Sequence, residues 1–405
     1  MNITTKTFLA SALLATLAFS SAPQAHAASS IEVSGWIPYW RTEAGTKDAK
    51  KNLAKMTEVN PFAFSVRADG SIADTLKIEG KDWQRLIRDA EKKDVLVIPT
   101  VMWSDTDNIH TVLSNPATRA AHVEAIADLV EKHDFDGIDI DYEGKKAETR
   151  THFSAFLREL KDALGRKQLD CTIEARMPLS ARFSGTPPAN IEYANDLPEI
   201  NKVCDRVRIM TYDQQTADVE LNAKARAKND VYAPVADVAW VKKVVDYMGA
   251  DIDKRKMTLG VATYGYIYQL MPNTNGNGYG YIKMEAFNPK YATDLAKKLK
   301  ITPERNSAGE LSFSYVPKDQ PSSLPSQAEL VRLAPKGTSS ANAAAAGALV
   351  LAKKEGRQAP VTYVTWSDSV AIKQKVDLAK REGLAGIAIF KIDGGSDPKL
   401  WSVLK

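Results

Sequence analysis

The sequence predicts an α/β fold, a (β/α)8 TIM barrel with a small α+β insertion between strands seven and eight. Three observations predict it. Eight short apolar runs alternate with segments of helical periodicity, the pattern of a parallel sheet covered by helices. The fourth run, Phe135 to Gly144, alternates strictly: Asp139, Asp141 and Glu143 share one strand face, and Ile138, Ile140 and Tyr142 share the other. Between the seventh and eighth runs lies a stretch, residues 266–364, too long to be a mere connection. An open doubly wound sheet is the structural alternative, but no Gly-x-Gly-x-x-Gly fingerprint supports it.

In chain order, residues 1–27 read as a secretory leader. Lys6 supplies the positive start, Phe8 to Phe19 the apolar run, and Ala25-His26-Ala27 the cleavage site. Residues 28–265 hold the first seven barrel strands. Ile31 to Trp40 is the first, Asn60 to Ser65 the second, and Asp94 to Pro99 the third. The acidic run is the fourth, Cys171 to Met177 the fifth, Arg206 to Tyr212 the sixth and Met257 to Tyr264 the seventh. Helix faces separate them, among them Trp83, Leu86, Ile87 and Ala90, then Phe153, Phe156, Leu157, Leu160 and Leu164, with Gly165 as a stop. Within 266–364, Met271 to Gly278 reads as an exposed loop, Tyr281 lies in a short strand, Tyr291 to Leu299 is a helix and Leu311 to Val316 a strand. The Ala-rich Asn342 to Leu351 is a helix or a loop. Residues 365–405 complete the barrel with strand eight, Gly386 to Phe390.

The formal net charge is +4, without a basic block or a basic-aromatic run, which argues against a nucleic-acid partner. After the leader no run is apolar enough to span a membrane. The five histidines lack ligand spacing, and no zinc is expected. Cys171 and Cys204 each fall by a strand, and the two strands should be neighbours. A disulfide and a pair of buried thiols are both open.

Three carboxyls two residues apart cannot all ionise freely, because like charges push at least one pKa upward. One group then donates a proton while a neighbour stays charged, which is what glycosidic bond cleavage requires. A solvated strand face and a magnesium site on a barrel strand are alternative readings of the same spacing. A calcium loop is excluded, since Arg150 stands where its bidentate Glu would be.

Barrel enzymes work at the C-terminal ends of their strands. Those ends carry Tyr39 and Trp40; Met102 and Trp103; Glu143; Glu174, Arg176 and Met177; Met210, Tyr212 and Asp213; Tyr264 and Tyr266; and Phe390 with Asp393. Aromatic rings around carboxyls suit a pyranose, whose faces stack and whose hydroxyls hydrogen-bond.

The run Asp136-Gly137-x-Asp139-x-Asp141-x-Glu143 resembles the signature of family 18 glycoside hydrolases, the chitinase family, and Met210-Thr211-Tyr212-Asp213 is similar to its Met-x-Tyr-Asp motif. The resemblance covers nearly all of the chain after the leader. It implies catalytic roles for Glu143, Asp141, Asp139 and Tyr212. Glu143 would be the general acid, and Asp141 would orient a substrate acetamido group whose oxygen attacks the anomeric carbon. Asp139 would lie deeper and exchange a hydrogen bond or proton with Asp141, and Tyr212 would bond the acetamido carbonyl. Asp213 would hold the same sugar. The strand-end residues Met210, Tyr39, Trp40, Trp103, Arg176, Tyr264 and Phe390 are the further candidates for binding it, and Asp136, on the opposite parity at the strand's start, reads as a backbone anchor. No metal or cofactor is implied.

Two departures mark the chain. Phe390 stands where many members carry Trp, and Pro99-Thr100-Val101-Met102-Trp103 replaces a Ser-x-Gly-Gly stretch. Together with Ile109 to Pro116 they resemble the bacterial branch with spore-cortex and cell-wall lytic members. The expectation is a secreted or periplasmic monomer acting on an N-acetylglucosamine-containing polysaccharide, chitin or peptidoglycan, with a non-catalytic chitinase-like lectin as the alternative.

Overall fold

Eight parallel strands close on themselves in the structure, a computed structural model that describes residues 31–404. In order they are Glu32–Pro38, Glu58–Val66, Thr100–Trp103, Gly137–Tyr142, Gln168–Glu174, Arg206–Met210, Met257–Ala262 and Gly386–Phe390, and the last pairs with the first. The leader expected over residues 1–27 lies outside the described residues. No helix among the described residues is long and apolar enough to cross a membrane.

Alternation along each strand divides its side chains between the barrel interior and the helical layer. Ile138, Ile140 and Tyr142 point outward and are fully buried against Phe153 and Phe156 of the helix Arg150–Leu164, which ends at Gly165 with φ 57°. Gly137 is required by close approach, because a Cβ there would collide with the Gln168 carbonyl. Asp136 accepts the Val97 N–H at 2.8 Å and anchors backbone at the strand's foot.

The third strand departs from expectation. Pro99 has no N–H to donate, and the ladder is interrupted around it. Leu96–Val97 pairs with the start of strand two, and the barrel strand proper begins at Thr100. Its register sets Met102 opposite Asp141 and Trp103 opposite Tyr142, so these pairs share faces.

Between strands seven and eight the chain builds a five-stranded antiparallel sheet, in the order Tyr279–Phe287, Gly265–Pro272, Val361–Trp366, Leu311–Tyr315, Glu304–Arg305. The Ala-rich segment is the helix Ala343–Glu355, and its small residues let it approach the helix Gln327–Leu333. Any Cβ at Gly347 would strike the Leu330 backbone. Cys171 and Cys204 form a disulfide joining strand five to the end of the helix Leu197–Val203 that leads into strand six.

Candidate active site

The acidic row stands on a buried ionic floor. Arg208, on strand six and 1% exposed, ion-pairs with Glu58, Asp170 and Asp139, its Nη1 lying 3.2 Å from Asp139 Oδ2. Asp139 also accepts from Trp36 Nε1 at 3.0 Å, Thr100 Oγ1 at 2.7 Å and Thr172 Oγ1 at 2.7 Å. Those donors occupy both of its oxygens, and it makes no hydrogen bond to Asp141. The expected Asp139–Asp141 exchange is therefore corrected: Asp139 is tied to the floor.

Asp141, one step along the same face, is 4% exposed, and its Oδ1 is buried without a hydrogen-bond partner. Burial, reinforced by the negative charges of Glu143 and Asp139, raises its pKa far above the usual carboxylate range. Glu143 follows at the strand's end. Burial raises its pKa too, and the charge of Glu174 adds to the effect while Lys145 opposes it. Burial would also raise Glu174, but the Lys145 ammonium and hydrogen bonds from Gly144 N–H (3.1 Å) and Asn195 Nδ2 (2.7 Å) outweigh it and hold Glu174 low. The pKa values of two neighbouring carboxyls are thus driven apart, Glu143 upward and Glu174 downward.

Glu143, Lys145, Glu174, Arg176, Met210 and Tyr212 line one cavity of about 530 Å³. Trp40, Tyr264, Phe390 and Asp393 line a second of about 360 Å³, and Asp213 borders both. Tyr212 stacks on Phe390, with centroids 5.5 Å apart and planes 19° from parallel. Gly260 makes room for it, since a Cβ there would sit 2.7 Å from the Tyr212 ring. Asp213 has φ 60°, and its Oδ1 accepts the hydroxyls of Tyr264 and Tyr266 at 2.6 Å each. Burial keeps both tyrosines and Tyr212 protonated, with pKa values above the ordinary phenol range.

Trp103 is a correction. Only 3% exposed, it packs against His122 and Tyr142 in the outer layer and faces away from the cleft. The parity of the resumed third strand turns it outward and turns Met102 in. Tyr39 and Trp40 sit exposed at the rim, edge to face at 4.8 Å, and Tyr39 lines neither cavity. Sequence reasoning missed Trp36, Lys145, Asn195 and the Arg208 floor. Arg208, set between Val207 and Ile209 in a short strand, was the one available signal for the last. No cluster of His, Cys, Asp or Glu suited to a metal ion occurs among the described residues.

The family model for glycosyl hydrolases family 18 matches residues 35–395. Relatives include the uncharacterized glycosylase YvbX of Bacillus subtilis, 25% identical over 215 residues, which are 53% of this chain and 56% of the relative. Chitinase A1 of Niallia circulans is 25% identical over 189 residues, 40% of this chain and 25% of the relative. The chain spans about half the length of the first curated relatives it matches. Among solved structures, the Bacillus cereus spore cortex-lytic enzyme SleL superposes with a TM-score of 0.65 at 18% identity, over 92% of this chain and 73% of that one. A class V chitinase from Pseudomonas fluorescens Pf-5 gives 0.67 at 17% identity, over 92% and 98%.

Proposed function

The chain belongs to the family 18 glycosyl hydrolases, and from that premise we propose that it is an exported enzyme. It hydrolyses β-1,4-linked N-acetylglucosamine glycans, chitin oligosaccharides or peptidoglycan, with retention of configuration. The observation that carries this reading is the buried, unpartnered Oδ1 of Asp141. An unsatisfied buried acceptor costs about 1–3 kcal/mol, and a substrate acetamido N–H would satisfy it.

In this reading Glu143 delivers its proton to the leaving oxygen. The acetamido oxygen of the bound sugar attacks its own anomeric carbon, held in place by Asp141 at the N–H and the Tyr212 hydroxyl at the carbonyl. The hydrogen bond from that N–H to Asp141 Oδ1 stabilises the positive charge that forms on the cyclic intermediate. Glu143, now ionised, takes a proton from the water that opens the ring. Asp213, between its two tyrosines, and Phe390, behind Tyr212, hold the same sugar. The nucleophile comes from the substrate, so the scheme needs no metal or cofactor. The Cys171–Cys204 disulfide suits an oxidising compartment and supports export.

Digestion of chitin oligosaccharides and purified peptidoglycan side by side, with mass analysis of the new ends, tests the proposal. Products ending in N-acetylglucosamine are expected. Cleavage of cellulose, which lacks the acetamido group, at a comparable rate would exclude the substrate-assisted scheme.

A further inference from the structure

We infer that the cleft receives, in the cavity lined by Glu143, a sugar bearing a carboxylate, and that Arg176 recognises it. The inference rests on Glu143 being the acid. A general acid stands beside the leaving oxygen, and Glu143 lines only the larger cavity, while Phe390 lines only the smaller. Tyr212 lines only the larger one as well, so the sugar that Arg176 reads lies in the cavity that Glu143 and Tyr212 share.

One part of that cavity's lining carries two guanidinium groups, Arg176 and Arg182. The Arg176 guanidinium lies 4.0 Å over the Tyr193 ring, and its Nη2 donates to the Asn195 carbonyl at 2.8 Å. Ring and carbonyl fix the plane of the fork and leave most of its donors unused. No carboxylate among the described residues lies within ion-pair distance of Arg176 or of Arg182 on the same wall. Other acids nearby are engaged or turned to water. Glu174 binds Gly144 N–H and Asn195 Nδ2 beside Lys145, Asp196 pairs with Arg150 at 3.1 Å, and Glu192 is exposed. Arg176 is half-buried, so it has given up hydration, and the negative charge of Glu174 acts on it only from beyond ion-pair distance. A planar, pre-oriented guanidinium matches a carboxylate with two parallel hydrogen bonds, a match that hydroxyls cannot reproduce. The carboxylate could sit on the lactyl ether of a muramyl residue or on a uronic acid.

The test compares kcat/KM on four substrates: neutral chitin oligosaccharides, peptide-free muramyl glycan, the same glycan with its carboxyls reduced to alcohols, and an alternating N-acetylglucosamine–uronate glycan. The native enzyme is expected to prefer the muramyl glycan over its reduced form by about 10- to 100-fold, the usual worth of a charge-assisted pair. Arg176→Gln should remove most of that ratio and Arg176→Lys should restore part of it. Faster cleavage of the uronate glycan assigns the carboxylate to a uronic acid, and slower cleavage assigns it to the lactyl group. Equal rates on the native and reduced muramyl glycans, with oligosaccharides still cleaved, would overturn the inference alone. Failure on every substrate would overturn the proposed activity instead. In that case calorimetric titration of Glu143→Gln with native and reduced glycan still decides whether the carboxylate is bound.

Discussion

Arg208 holds Asp139 at 3.2 Å, and by doing so it leaves Asp141 alone. With Trp36, Thr100 and Thr172 also bonded to Asp139, the middle carboxyl of the row has no protein partner for its buried Oδ1.

Asp141→Asn removes no hydrogen bond and relieves crowding among carboxyls. Turnover should fall by about 100-fold or more, while the fold is kept. The folded state raises this carboxyl's pKa, so it keeps its proton while the unfolded chain has lost it. The native protein therefore loses stability as pH rises from about 4. The stability advantage of Asp141→Asn should grow over that window, read by chemical denaturation at several pH values. An advantage that shrinks with pH would contradict the account.

Glu174→Gln tests how the pKa of Glu143 is held up. The amide can still accept the Gly144 N–H, but its negative charge is gone and Lys145 is left facing Glu143. Both changes lower the Glu143 pKa. The alkaline limb of the pH–rate profile should move to lower pH, and an unmoved limb would remove Glu174 from this role.

Gly260→Ala tests the Tyr212–Phe390 stack. The new methyl would lie 2.7 Å from both the Ile209 carbonyl and the Tyr212 ring. Overpacking of this kind costs about 1–3 kcal/mol, and displacing Tyr212 should lower kcat more than it raises KM. Thermal melts and steady-state kinetics measure the two effects.

Glu310 joins the inserted sheet to the barrel. It is fully buried and accepts the Val235 and Ala236 N–H groups at 2.9 and 2.8 Å, next to the loop whose Val235 carbonyl receives Gln214 N–H. Buried Lys375 supplies the opposing charge. Glu310→Ala should cost about 3–5 kcal/mol, because it strands both N–H groups and the ammonium. A loss below 1 kcal/mol in urea titration would contradict the packing described.

The barrel was legible because its signals are local. Alternation in Ile138 to Glu143 fixes a strand and its two faces within six residues, and Phe153 to Leu164 fixes the helix behind it. Strand eight matches its expected bounds, Gly386–Phe390. Trp103 was misread because Pro99 shifts where the third strand begins, and a one-residue change of parity reverses a side chain. The Arg208 floor was out of reach for a different reason. Glu58 and Asp170 are 150 and 38 residues from Arg208 in sequence, and no short-range spacing reports a contact made across a closed barrel.

The most direct test of the central claim is hydrolysis of a chitin oligosaccharide by Glu143→Gln, with ligand binding measured by calorimetry on the same preparation. Loss of the acid should reduce turnover by about 100- to 10,000-fold while the oligosaccharide still binds a folded protein. Turnover near that of the native enzyme would contradict the assignment of Glu143 and the mechanism built on it.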